Sequence, residues 1–389
     1  MKVALLSDCY LPRLGGIEVQ VRDLAYRLLA AGHEVEVFTA TPGVDDERGG
    51  YVEIVDGLPI HRMGVQLPGR FPFSPFAARE VKRRLVARSF DVAHVHMGIT
   101  SPFTVDSTRV ALQIGLPVAM TWHCMLGPAE PLFHLSQIAR MWARSGVGMS
   151  AVSRVAAQPV QRALGRSGTV EVLPNGIDAA TWWLGGAHRS EGPPMPPSRD
   201  GELLVVSAMR LAARKRPLPF LALLRKVRGM LPDTAFRVVV LGEGRLESLA
   251  RSYVDRHDMG GWVDLPGRVS RPELLRIYRR SHVYVSPAKL ESFGIAALEA
   301  RCMGLPVVGL SSSGCVEFIE DGVNGMLVRD DQGMAEAIAQ LLVDHDKRER
   351  MWRYNVTTPP QQDWGSVVAM TLDEYERAAS LRGLTLAGR

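Results

Sequence analysis

Glu291 and Glu299 are the residues of this chain whose spacing most directly suggests chemistry. They bracket the run Glu291-Ser292-Phe293-Gly294-Ile295-Ala296-Ala297-Leu298-Glu299. His282-Val283-Tyr284-Val285 just before it is β-branched and aromatic and reads as a buried strand. The Ala- and Leu-rich residues from Ala297 to Cys302 favour a helix. Strand, short polar loop and helix would set Glu291 at the carboxyl end of the strand and Glu299 about one turn into the helix. Open parallel sheets bind ligands at that edge, so the two acids could grip two parts of one ligand. The same residues also fit a plain helix start, with Glu299 as a first-turn partner of the helix dipole.

Four cations fall within Arg210-Leu211-Ala212-Ala213-Arg214-Lys215-Arg216. At a strand's carboxyl end they suit a diphosphate, with Arg as a fork and Lys as a point charge. A solvated basic loop has the same composition, but the position at the sheet edge favours the anion site. Gly242-Glu243-Gly244, after the next strand, would let a ligand approach the backbone, although a lone G-x-G is weak evidence. Near the amino terminus, Gly15-Gly16 lies between a strand and a helix, where backbone N–H groups suit a phosphate. His123 ends another strand; a single His is more often a structural hydrogen-bonder than a catalytic group. His94 and His96 alternate on one strand without a ligand pattern and read as packing or supporting residues. Asp344-His345-Asp346 follows a helical run in a polar turn and reads as solvated. No metal site is expected.

The elements that must position these residues alternate regularly. Lys2-Val3-Ala4-Leu5-Leu6 reads as a buried strand, Val21, Leu24, Ala25 and Leu28 repeat with helical spacing, and Gly32 ends that helix. Glu34-Val35-Glu36-Val37-Phe38 is the next strand. It ends without an acid for a ribose, and G-x-G-x-x-G is absent, so a dinucleotide-dependent oxidoreductase loses ground. Further strands are expected at 92–96, 117–121, 148–153 and 170–173, then at 203–206, 237–241, 263–265, 283–285 and 306–308. A helix is expected at 105–112 and a final one at 364–381. Alternation of this kind implies α/β architecture with mostly parallel sheets covered on both faces. Gly185-Gly186, Gly192-Pro193-Pro194 and Pro196-Pro197 break the pattern. The expected division is therefore 1–185, a linker at 186–200, a second domain at 201–365, and a helix within 366–389 that packs back on the first domain.

At 389 residues, with 46% hydrophobic and 22% charged residues, the chain is long enough for two domains with their own cores. A net charge of +5 tilts toward phosphates or lipid headgroups and is too mild to argue for nucleic acid. The four cysteines lack C-x-x-C spacing, which fits a reducing compartment and neither a disulfide framework nor a zinc site. No apolar run approaches the ~20 residues that span a bilayer, so a cytoplasmic protein is expected.

Taken together the motifs resemble those of retaining GT-B glycosyltransferases of the family-four (group 1) type. E-x7-E at Glu291 and Glu299, G-G-I-E from Gly15 to Glu18, T-W-H from Thr121 to His123 and A-V-S from Ala151 to Ser153 all match. So do P-N-G-I-D from Pro174 to Asp178 and R-x4-K at Arg210 and Lys215, in order, over nearly the whole chain. The resemblance implies two Rossmann-like domains facing each other across a cleft, the first for the acceptor and the second for a nucleoside-diphosphate sugar donor. It implies that Arg210 and Lys215 hold the diphosphate, Glu299 the ribose and Glu291 hydroxyls of the transferred sugar. Amides around Phe293-Gly294-Ile295 and Gly15-Gly16 would assist, His123 would lie near the reacting sugar, and Gly267-Arg268 near the base. The early segment S-D-C-Y-L-P-R-L-G-G-I-E is similar to the branch that glycosylates phosphatidylinositol. Two departures stand out: Ser313-Gly314-Cys315-Val316-Glu317 where Gly-Gly-x-Pro-Glu is usual, and Cys124 where a glycine commonly follows the His.

The expected reaction is transfer of a sugar to an acceptor hydroxyl, on a membrane lipid or a growing glycan. A cationic clamp and helix-terminal amides would stabilise the leaving nucleoside diphosphate in place of a metal or other cofactor. Double displacement needs two carboxylates about 5 Å apart, as in retaining hydrolases. With Glu299 assigned to ribose, same-face transfer is the favoured expectation. A sugar-nucleotide epimerase of the same fold is the alternative. Phe71-Pro72-Phe73-Ser74-Pro75-Phe76, followed by Arg79, Lys82, Arg83, Arg84 and Arg88, suits an anionic membrane surface on the inner face of the membrane. It equally suits a solvated helix whose Val81, Leu85 and Val86 enter the core.

Overall fold

The computed structural model describes all residues except 14, 44–49, 67–71, 74–76, 100, 187–191, 199–200 and 387–389. The chain forms two units. Unit 1 joins Met1–Gly176 to Trp364–Arg389, and unit 2 is the intervening Ile177–Asp363. The division thus falls ahead of the expected linker. The described part of that linker, 192–198, is held within unit 2: Trp352 Nε1 donates to the Pro193 carbonyl at 3.0 Å, and His282 Nε2 meets the Pro196 carbonyl at 3.2 Å.

Among the described residues, unit 1 has an eight-stranded sheet. Its order is Val170–Val172, Val147–Ala151, Val118–Trp122, Val92–Met97, Lys2–Ser7, Glu34–Thr39, Leu58–Arg62 and Tyr51–Val55. All pairings are parallel except the hairpin at the Tyr51–Val55 edge. Val3, Ala4, Leu5 and Leu6 are fully buried, as expected of a strand covered on both faces. Helix Gly16–Ala30 buries Val21, Leu24, Ala25 and Leu28 on one stripe. It closes at Gly32, whose φ of +86° lets His33 N–H reach back to the Leu28 carbonyl at 3.0 Å. Helix Trp364–Ser380 returns to unit 1, where Trp364, Val367, Tyr375 and Ala378 share a core with Val3, Leu5 and Ala119. A fully buried Val or Leu of this core contributes roughly 1.5–3 kcal/mol, an alanine methyl less.

Among the described residues, unit 2 has a wholly parallel six-stranded sheet in the order Val263–Gly267, Phe236–Leu241, Leu203–Ala208, Val283–Ser286, Val307–Leu310, Gly325–Val328. Its first strand, Leu203–Ala208, has neighbours on both sides that follow it by different routes. The strand order therefore reverses between Leu203–Ala208 and Val283–Ser286. Loops diverge there at the carboxyl ends of the strands and leave a crevice in sheets of this kind.

Helix Ala77–Arg88 is fastened to unit 1 by a buried charge network. Arg84 can only donate, so its 2.8 Å contact with His61 Nδ1 places the imidazole proton on Nε2, which faces Glu36 at 2.6 Å. Arg88 reaches the second Glu36 oxygen at 2.8 Å. Burial alone would raise the Glu36 carboxyl, but the His61 and Arg88 hydrogen bonds outweigh it and hold it at about 2. Arg84 and Arg88 thus face inward or sideways, Val81 and Leu85 are buried, and Val86 is 59% exposed instead of entering the core. Arg79, Lys82 and Arg83 form the outer face. Of the aromatic run before this helix, Phe71 and residues 74–76 lie outside the described residues, as do the side chains of Pro72 and Phe73.

Candidate active site

In unit 2 the two loops at the strand-order reversal carry the expected residues. Leu203–Ala208 leads through Arg210 into the short turn Ala213–Lys215, and Val283–Ser286 leads into Glu291. Lys215 Nζ forms an ion pair with the Glu291 carboxylate, the lysine side chain 24% and the glutamate 14% exposed. Lys215 and Glu291 are thus brought together across the crevice. Arg210 stands exposed on the first loop. Arg216 is not part of an anion clamp: its guanidinium is committed to Asp331 at 2.8 and 2.5 Å and to the Pro287 carbonyl at 3.1 Å. Its role is to tie the two loops to helix Asp331–Val343.

Gly294 caps helix Ile295–Cys302 with φ +95°, a conformation open chiefly to glycine. A side chain there would press on Cys315 Sγ at 3.1 Å and stand in ordinary contact with Glu291 Cγ at 3.5 Å. The helix amino terminus therefore opens beside Glu291, with Ile295 half-buried and Phe293 buried against Phe318 at a ring separation of 5.5 Å. The amide end of that helix and the Lys215 ammonium supply positive potential. Glu299 is half-buried on the same helix. Burial is the main force raising the Tyr284 phenol, and Cys315, Glu291 and Glu299 all push it in the same direction, so both acids lie within electrostatic reach of one ring. Glu299 also adds to the burial that raises Tyr278.

The departing segment Ser313-Gly314-Cys315-Val316-Glu317 forms a short helical turn, Gly314–Glu317, that braces this loop. Gly314 N–H donates to the Glu291 carbonyl at 2.7 Å, and a Cβ at Gly314 would overlap the Ser292 carbonyl and the Phe293 backbone. Gly314 positions this loop, a role that sequence reasoning passed over; its signal was a glycine kept in a motif altered at Ser313 and Val316. Burial pushes the Cys315 thiol up to about 11, so it sits there as a small apolar group.

The loop Gly242-Glu243-Gly244 packs on the loop that carries Arg210. The space beside Gly242 is taken by the Met209 carbonyl and that beside Gly244 by the Leu211 carbonyl, and Leu211 N–H donates to Glu243 at 2.9 Å. These glycines let one loop lie on another. Arg268, just past strand Val263–Gly267, is exposed 3.8 Å from Glu243.

Gly15, Gly16 and His123 belong to unit 1. Gly15 precedes helix Gly16–Ala30 in an extended conformation, and Glu18 folds its buried carboxylate over it, 3.3 Å from Arg13. Asp8, buried on the same loop, accepts from Phe103 N–H at 3.0 Å and from the Thr104 amide and hydroxyl at 3.2 and 2.8 Å, which joins the loop to helix Pro102–Gln113. His123 is half-buried at the end of Val118–Trp122, its Nε2 2.9 Å from His96 Nδ1 and its ring also hydrogen-bonded by Asn175. Burial holds its pKa down to about 4, against the opposing Asn175 bond. Among the described residues no group of three or more His, Cys, Asp or Glu is arranged to hold a metal ion, and no helix is long and apolar enough to cross a membrane.

Comparison with known proteins fits this geometry. The profile described as glycosyl transferases group 1 matches residues 191–357, and that described as glycosyltransferase family 4 matches 14–181. The chain is 30% identical to a phosphatidyl-myo-inositol mannosyltransferase of Mycolicibacterium smegmatis, over 97% of this chain and 94% of that protein. It is 28% identical to a D-inositol 3-phosphate glycosyltransferase of Pseudarthrobacter chlorophenolicus, over 94% and 90%. Among solved structures, sucrose-phosphate synthase of Thermosynechococcus elongatus superposes with a TM-score of 0.73 at 17% identity, covering 96% of this chain and 98% of that one. Anabaena HepE in complex with UDP gives 0.70 at 18%, covering 96% and 99%. Two parallel-sheet units, with a paired lysine and glutamate at a glycine-capped helix in the second, therefore belong to a GT-B enzyme, and this chain is a member of the group 1, family-four type of glycosyltransferases.

Proposed function

We propose that the chain transfers a hexosyl group from a nucleoside-diphosphate sugar to a hydroxyl of an inositol phosphate or inositol phospholipid, with retention of configuration and without a metal. The observation that carries this reading is the Lys215–Glu291 pair beside the Gly294-capped helix, at the strand-order reversal of unit 2. A diphosphate there would meet the Lys215 ammonium, Arg210 and the helix amides, which stabilise charge as the leaving group departs. Glu291, released from part of its pairing, would accept from sugar hydroxyls, and Glu299 from the ribose. The acceptor class rests on the relatives, a phosphatidyl-myo-inositol mannosyltransferase and a D-inositol 3-phosphate glycosyltransferase.

In the step itself the acceptor oxygen bonds to the anomeric carbon on the face from which the phosphate leaves. The acceptor's proton passes to a phosphate oxygen of the departing nucleoside diphosphate, so no carboxylate nucleophile is required. The exposed Arg79, Lys82 and Arg83 of helix Ala77–Arg88 supply an anionic-surface contact for a lipid acceptor.

A thermal-shift screen of UDP, GDP and ADP sugars tests the donor reading, because a ligand that binds the native state raises its melting temperature. One of the three should stabilise the protein and Glu299→Gln should weaken that shift, while Glu291→Gln should lower turnover with the shift largely kept. No shift with any of the three would overturn the assignment.

A further inference from the structure

His94 and His96 stand two residues apart on strand Val92–Met97, so their rings share one face of the unit 1 sheet. Both are buried, with ring centroids 4.1 Å apart. His94 is fully engaged: Nδ1 meets the Tyr375 hydroxyl at 2.9 Å, and Nε2 meets the Thr121 hydroxyl at 2.8 Å. Tyr375, on helix Trp364–Ser380, thereby fixes the ring against which His96 packs.

His96 is different. Its Nδ1 lies 2.9 Å from His123 Nε2, while its own Nε2 is buried without a hydrogen-bond partner. Two ring nitrogens at that distance share one proton, and the orphaned nitrogen identifies its owner. If His123 donated, neutral His96 would carry its proton on Nε2 and bury an unsatisfied N–H, which is the rarer and costlier arrangement. With the proton on His96 Nδ1, only a lone pair is orphaned. His123 then accepts at Nε2 and carries its own proton on Nδ1, the nitrogen left for its hydrogen bond with Asn175. Burial keeps both rings neutral near pH 7, His96 well below the ordinary imidazole range.

We propose that His96 is a positioning residue for glycosyl transfer: by donating from Nδ1 it fixes the tautomer and tilt of His123, which acts as an oriented neutral ring and carries no proton between substrates. This rests on the reading of His123 as a neighbour of the transferred sugar. It agrees with leaving the acceptor's proton to the donor phosphate, because both His123 nitrogens are already engaged within unit 1.

Two measurements test it. In protein labelled with 15N-histidine, long-range NMR correlations should show His96 as the Nδ1–H tautomer and His123 as neutral from pH 5.5 to 8. A His96 Nε2–H tautomer, or a His123 that titrates in that range, would overturn the proposal. The second compares His96→Asn, whose amide can donate from near the Nδ1 position, with His96→Gln, whose amide reaches toward Nε2. Release of nucleoside diphosphate from UDP, GDP or ADP sugars should stay within about 3-fold of the parent in His96→Asn and fall roughly 10–100-fold in kcat, with little change in KM, in His96→Gln. Equal rates in the two variants, or loss in both while they melt normally, would also overturn it. The donor assignment is tested separately, since the thermal shift with nucleotide sugar should persist in both variants whatever their turnover.

Discussion

Gly294→Ala should destabilise unit 2 and loosen the donor site together. The glycine holds φ +95° at the start of Ile295–Cys302. An L-residue in the left-handed region costs about 1–2 kcal/mol, and the added methyl would sit 3.1 Å from Cys315 Sγ, so the sulfur must give by a few tenths of an ångström. For a unit of this size each kcal/mol moves the melting temperature by about 2–4 °C, which gives a fall of roughly 2–8 °C in the transition of unit 2. The methyl also lies 3.5 Å from Glu291 Cγ, on the loop that Lys215 and Gly314 hold in place. That contact is ordinary, but relief of the strained φ and of the crowding against Cys315 shifts the helix amides beside Glu291, and the donor KM should rise. Scanning calorimetry and donor-saturation kinetics measure the two effects, with Gly260→Ala as control, since no atom lies within 4 Å of where its methyl would stand. A Gly294→Ala protein that melts with the control, or that loses stability with an unchanged donor KM, would refute the coupling between cap and site.

Other outcomes follow from unit 1. The Glu36 carboxyl is held at about 2 against an ordinary 4.5, so its contribution is present above pH 4.5 and is lost as pH falls toward 2. Acid unfolding monitored by circular dichroism should accordingly be steeper between pH 4.5 and 2 in the parent than in Glu36→Gln, and the variant should be less stable at pH 7 because it leaves His61 and Arg88 without their charged partner. Equal slopes would show that the network does not govern acid stability. On helix Ala77–Arg88, Arg79→Glu with Lys82→Glu should reduce co-sedimentation with anionic vesicles at low salt. Each cation near such a surface contributes about 1 kcal/mol. Binding that is indifferent to the charge reversal would remove this face from the acceptor reading.

The strands were legible because a sheet covered on both faces needs near-continuous apolar runs, and Val3 to Leu6 or Val283 to Val285 provide them. The helices at Gly16–Ala30 and Trp364–Ser380 were legible from their periodicity. The hairpin Tyr51–Val55 to Leu58–Arg62 was not read, although Asp56-Gly57, with φ +46° and +81°, is the tight-turn pair that announces one. Of the site, Lys215 and Glu291 could be anticipated because residue type and strand end already restrict where they lie. Gly242, Gly244 and Arg216 could not, because what they touch belongs to other loops: the Met209 and Leu211 carbonyls in one case, Asp331 in the other. His96 was read as a packing or supporting residue, but what it supports was not legible for a similar reason. Its partner lies 27 residues along the chain on the next strand, and only the three-dimensional register brings the two rings together.

Unit 1 is interrupted in the chain and unit 2 is not, which sets an order of assembly. During synthesis all of unit 2 is added to the chain before helix Trp364–Ser380 exists, and at 5–20 residues per second that interval lasts roughly 10–40 s. For that time the sheet of unit 1 lacks Trp364, Val367, Tyr375 and Ala378, so the apolar surface they cover stays wet, and His94 has no Tyr375 to hold it. Unit 2, a contiguous body, can therefore fold without waiting for a later segment, whereas the half that carries His123 is finished only when the returning helix docks.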